Sequence, residues 1–148
     1  MRYLFWSAIV LFIFLVQGRI LLFDVTPSLT SLLVYYVGIR NGDVAGIFFG
    51  SLIGTIEDSL SGAFLGPHLL SKGLVGYFSS FLSGSFFKWT PLLGVIGIST
   101  LTFVDSALVF ASRSFFDKLP STIQAAVFII TIKSLINAPL GVLIRPKE

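Results

Sequence analysis

The sequence predicts an all-α integral membrane protein, a compact bundle of about six transmembrane helices, with five as the alternative count. Three observations carry that reading. The 148 residues are 55% apolar and only 11% charged, outside the range of ordinary soluble domains. The apolar character is spread along the whole chain, so a soluble domain with one anchor does not fit. Finally, turn formers cut it into about six apolar stretches, most of them near the ~20 residues needed to cross a ~30 Å hydrocarbon core.

The first stretch, residues 3–23, follows Arg2 as a signal peptide would. It lacks a small-x-small cleavage site and runs on to Phe23, so a retained signal-anchor helix is expected. The second, 27–39, is too short: as a helix it spans about 20 Å. It is buried in the bundle, extended by its flanks, or does not cross. The others are 44–65, 69–87, 91–112 and 121–144. Connections are short and turn-rich: Arg40-Asn41-Gly42, Gly66-Pro67, Lys88 to Pro91, and Asp117 to Pro120. No linker or internal repeat divides the chain, so residues 1–148 read as one polytopic domain.

The net charge of +3 is spread over segment ends with no basic stripe, which argues against nucleic acid. With no cysteine, disulfides and thiolate metal sites are excluded. With six spans and the N-terminus inside, Arg2, Arg40, Lys88, Arg145 and Lys147 face the cytoplasm, and Arg19, Lys72, Arg113 and Lys118 the exterior. That is a weak positive-inside bias. Trp6, Tyr35, Tyr36 and Trp89 fall near expected interfaces, and Arg19 is within reach of Asp24.

Gly42, Gly46, Gly50 and Gly54 recur every fourth residue and are continued by Asp58 and Gly62. Small residues at this spacing mark close helix crossings in lipid. Because each i+4 step drifts by about 40°, the strip suits packing on several neighbours within one subunit, or the docking of a separate one. Carboxylates and ammonium groups at membrane depth face partners or cavities. Asp58, Asp105, Lys133 and Asn137 are the candidates, with Lys133 expected to pair with Asp58 or Asp105. Such a pair either fixes helix register or belongs to a ligand or proton site. Glu57 is expected to point away from Asp58. Lone His68 makes a poor metal ligand. No phosphate-binding loop, metalloprotease helix or nucleophile elbow is present, so no catalytic residue, cofactor or metal is assigned.

The stretch 40–77, RNGDVAGIFFGSLIGTIEDSLSGAFLGPHLLSKGLVGY, resembles the rod shape-determining protein MreD family. The likeness lies in the glycine-spaced helix, the acidic residue, Ser61-Gly62, Gly66-x-His68 and Gly76-Tyr77. Asp24-x-x-Pro27 and Asn137-Ala138-Pro139 extend it. The resemblance implies a non-enzymatic scaffold in the bacterial inner membrane that binds the bitopic coiled-coil protein MreC. Through it, actin-like MreB filaments are linked to the peptidoglycan synthases that control cell shape. It also implies a fold similar to the substrate-binding subunits of energy-coupling-factor transporters. Asp58 would take the family's intramembrane acidic position and Gly46, Gly50 and Gly54 its packing face; Asp105 and Lys133 match no family motif. The competing expectation is a vitamin-capture subunit of such a transporter. Against it, the first helix carries Ala8 alone where a docking motif would need spaced alanines. A polar-lined channel using Asp58, Asp105 and Lys133 is a third.

Overall fold

Glycine, proline and threonine draw the boundaries of the helices. A computed structural model describes residues 2–17, 19, 25–62, 65–83, 88–116 and 122–146; the expected Arg19–Asp24 contact and the Trp6 side chain lie outside what it describes. Those residues form α1 (Arg2–Gln17), α2 (Leu29–Asn41), α3 (Asp43–Ser61), α4 (Pro67–Phe81), α5 (Pro91–Phe116) and α6 (Ile123–Asn137), followed by a 3₁₀ segment, Ala138–Leu143. No strand occurs among them. Gly42, at φ +90°, separates α2 from α3, and Gly62, left-handed at φ +62°, ends α3. Pro67 opens α4, where a missing N–H leaves nothing unsatisfied. The Leu93 and Ala125 amides donate to Thr90 and Thr122, starting α5 and α6. Pro139 cannot continue the α-helical ladder, and α6 tightens there into the 3₁₀ segment.

The helices run up and down. Gly46 lies against Gly76, Gly50 against Lys72 and Gly54 against His68, so α3 and α4 are antiparallel with their rows in step. In each case a Cβ on the α3 glycine would collide with an α4 carbonyl. Gly38 of α2 reaches the same Gly76 carbonyl, bringing three helices together at one level. A second close crossing, which the sequence reading missed, joins α5 to the 3₁₀ segment, where Gly94 and Gly141 each face the other's carbonyl. Gly42 and Gly62 are corrected. A Cβ at either would meet nothing within 4 Å, so both are turn residues selected by backbone conformation. Gly46, Gly50 and Gly54 all face α4, and Gly46 and Gly50 also abut Gly38 and Val34 of α2, so the strip packs on two neighbouring helices of the same chain.

Short α2 is the most enclosed helix. Thr30, Ser31, Val34 and Tyr35 are fully buried, and Val34, Tyr35 and Ile39 form the core with Ile53, Val75, Ile98 and Leu101. At 13 residues it belongs to the alternative in which the second stretch is buried in the bundle. Helix α4, expected to reach residue 87, ends at Phe81 after 15 residues. Two segments are long and apolar enough to cross a membrane: Pro91–Phe116, of 26 residues, and Ile123–Leu143, of 21.

Candidate functional site

Four helices bring their polar residues to one level of the bundle. The first turn of α2 supplies Thr30 and Ser31, the last turns of α3 supply Glu57, the start of α4 supplies His68, Ser71 and Lys72, and α5 supplies Asp105. The tight α3–α4 crossing places Glu57 beside α4. His68 and Lys72 are one turn apart, hence on one face.

Lys72 is the centre of the cluster and only 1% exposed. Its Nζ donates to Ser31 Oγ at 2.9 Å and to Asp105 Oδ2 at 3.3 Å, and lies 3.2 Å from Glu57 Oε2. All three donor positions of the ammonium are thereby used. Ser31 Oγ relays the contact by donating to Asp105 Oδ2 at 2.6 Å. Ser71 donates to Asp105 Oδ1, and Thr30 Oγ1 to Glu57. The Thr30 amide in turn donates to Gln17 Oε1 at 3.2 Å, tying α1 to the group. Paired and hydrogen-bonded in this way, the charges avoid the several kcal/mol that each unpaired buried ion costs.

His68 extends the network outward. Its Nε2 is 3.3 Å from Arg113 Nη2, and its Nδ1 is 3.1 Å from Glu57 Oε2, near but not aligned for a hydrogen bond. A guanidinium has donors only. The Arg113 contact therefore requires Nε2 as the acceptor and leaves the proton on Nδ1, toward Glu57.

The expected pairings are corrected accordingly. Asp105 pairs with Lys72, not Lys133. Asp58 turns away from the cluster and receives the α4 amides: Gly66 N at 2.8 Å and Leu69 N at 3.1 Å on Oδ2, and His68 N at 3.1 Å on Oδ1. It satisfies the orphan donors of a helix start and sets a negative charge at the positive end of the α4 dipole. Glu57 does point away from Asp58, but into the cluster. Lys133 has no hydrogen-bond or ion-pair partner among the described residues and lines both cavities described below. Asn137 Nδ2 donates to Ser28 O and Thr102 Oγ1, both at 3.2 Å, joining the end of α6 to α2 and α5.

Two cavities flank the cluster. The larger, about 380 Å³, is lined by Gln17, Ser28, Glu57, His68, Lys72, Asp105 and Lys133 among others. The smaller, about 180 Å³, lies between α5 and α6 and shares His68, Asp105 and Lys133 with the first. Glu57 and Asp105 face Lys72, Arg113 and Lys133, so the site has one positive charge in excess. Among the described residues no group of three His, Asp or Glu side chains is placed to hold a metal ion.

Lys72 and Arg113 are the charged residues the sequence reading missed, having assigned both to exterior segment ends; Thr30, Ser31, Ser71 and Gln17 were missed as well. Two signals were available: Lys72 stands within an apolar run, and His68, Lys72 and Gly76 share a four-residue spacing.

Searches against protein-family models, curated proteins and solved structures give no match.

Proposed function

We propose that this protein is a multi-pass membrane protein and a non-enzymatic scaffold subunit of the bacterial rod complex, of the MreD kind, that binds an MreC-like bitopic partner. The observation that carries the membrane reading is inverted polarity. Lys72, Asp105 and Asp58 are buried, while Phe12, Phe48, Leu60, Phe103, Phe128 and Leu135 are each at least 46% exposed. Water would reverse that arrangement and lipid favours it. Helices shorter than the hydrocarbon core fit such a bilayer by local thinning and by their flanking residues.

One end of the bundle supports an orientation. Arg40 lies over the Tyr36 ring at 5.2 Å and Arg145 over the Trp89 ring at 5.6 Å, the aromatic–basic pairing expected where a helix meets headgroups. Lys88 stands at the same end. With Lys72 fully buried and Arg113 half-buried against His68, the described basic residues Arg40, Lys88 and Arg145 at this end oppose Arg19 at the other. That favours this end as cytoplasmic. The scaffold assignment rests on the resemblance over residues 40–77 and on broad apolar faces available to other helices. The vitamin-capture reading is favoured by one observation, the 380 Å³ cavity that Glu57, His68, Lys72, Asp105 and Lys133 help to line.

Photo-crosslinking in native membranes, followed by affinity purification and mass spectrometry, separates the two. The scaffold reading predicts a single-span coiled-coil protein with wall-synthesis enzymes. A transmembrane coupling protein with two ATPases would overturn it.

A further inference from the structure

Three cationic or donor groups around the smaller cavity are not consumed by the buried network. Lys133 has no partner among the described residues. Arg113 spends Nη2 on His68, while its buried Nε has no hydrogen-bond partner. Ser106 Oγ, also buried on this wall, has none either. The remaining lining is His68 and Asp105, both engaged in the buried network, and hydrocarbon: Val109, Phe110, Ala126, Ile129 and Ile130, with Ile129 43% exposed.

Buried donors without acceptors are costly, and here they converge in a space of about 180 Å³. The carboxylates of the neighbourhood are committed elsewhere: Asp105 to Lys72, Ser31 and Ser71, and Glu57 to Lys72 and Thr30. An arginine edge with Nε free matches the oxygen geometry of a phosphate, and a lysine adds a point charge. We propose that the α5–α6 cleft binds a phosphate-type anion carried on a hydrocarbon tail, with Arg113, Lys133 and Ser106 on the head and Phe110, Ile129 and Ile130 along the tail. The apolar wall leading to Ile129 favours a lipid headgroup over a free anion as the source.

The site rests on the membrane reading but not on the rod-complex assignment, so it is tested on the purified chain without partners. Native mass spectrometry and thermal shift in detergent would compare dioleoylphosphatidylglycerol, dioleoylphosphatidylcholine and inorganic phosphate. Retention of phosphatidylglycerol over phosphatidylcholine is expected, weakened about tenfold or more in Lys133→Gln and Arg113→Gln, as for loss of one charge-assisted hydrogen bond. Lys133→Arg should retain binding, which separates loss of charge from loss of fold. Binding of inorganic phosphate as well, lost in the same variants, would support the anion site and make a soluble phosphate its source. Equal retention of both lipids, or phosphatidylglycerol binding unchanged in both Gln variants, would overturn the site.

Discussion

Lys72 holds two carboxylates, from different helices, that would otherwise repel across the bundle. Its removal leaves Glu57 and Asp105 buried without their shared cation, whereas removal of Asp105 leaves Lys72 still paired with Glu57. Lys72→Met should therefore destabilise strongly, by roughly 3–5 kcal/mol, and Asp105→Asn by less. Adding Asp105→Leu to Lys72→Met should recover part of the loss, because one of the two stranded charges goes with it. Unfolding in mild detergent measures all three. The account of the cluster is contradicted if Lys72→Met costs no more than Leu74→Ala on the exposed face of α4. Asp105 was legible as a buried charge from its depth in an apolar segment. Its partner was not, because periodicity orders neighbours on one helix and says nothing of which faces of two helices meet. Lys72 was hidden for a related reason. A lysine near a predicted boundary reads as a marker of the membrane surface, and only the early start of α4 at Pro67 carries it inside.

At the scale of elements, the α3–α4 hairpin depends on three glycines whose missing side chains admit the opposing carbonyls. Gly50→Ala forces that crossing apart and should cost about 1–3 kcal/mol, and Gly50→Leu should prevent the hairpin from closing. A Gly50→Leu protein with wild-type melting temperature would show that the crossing does not hold the bundle. The four-residue repeat announced this contact, and the six helices were legible from punctuation. The repeat overreached at its ends, since a spacing rule cannot separate a glycine chosen for closeness, such as Gly50, from one chosen for positive φ, such as Gly42. The Gly94–Gly141 contact was invisible because its partners belong to different elements and share no spacing. Asp58 illustrates a further limit: its carboxylate receives an amide eight residues on because α3 and α4 fold back on each other, which periodicity within α3 does not reveal.

For the whole molecule, the central claim is a bundle that keeps its charges inside, turns its apolar faces outward, and crosses the membrane with both termini on the cytoplasmic side. Composition made the apolar exterior legible, but span lengths were less so, because α2 and α4 are shorter than the hydrocarbon core they are proposed to cross. The chain contains no cysteine, so single cysteines report cleanly. The most direct measurement is labelling of Arg19→Cys, Asn41→Cys, Lys88→Cys and Lys118→Cys with an impermeant maleimide in intact spheroplasts and after permeabilisation. The account predicts that Arg19→Cys and Lys118→Cys react in intact cells, and that Asn41→Cys and Lys88→Cys react only once the membrane is opened. Reaction of Lys88→Cys and Lys118→Cys from the same side, or recovery of the protein in the soluble fraction, would contradict it.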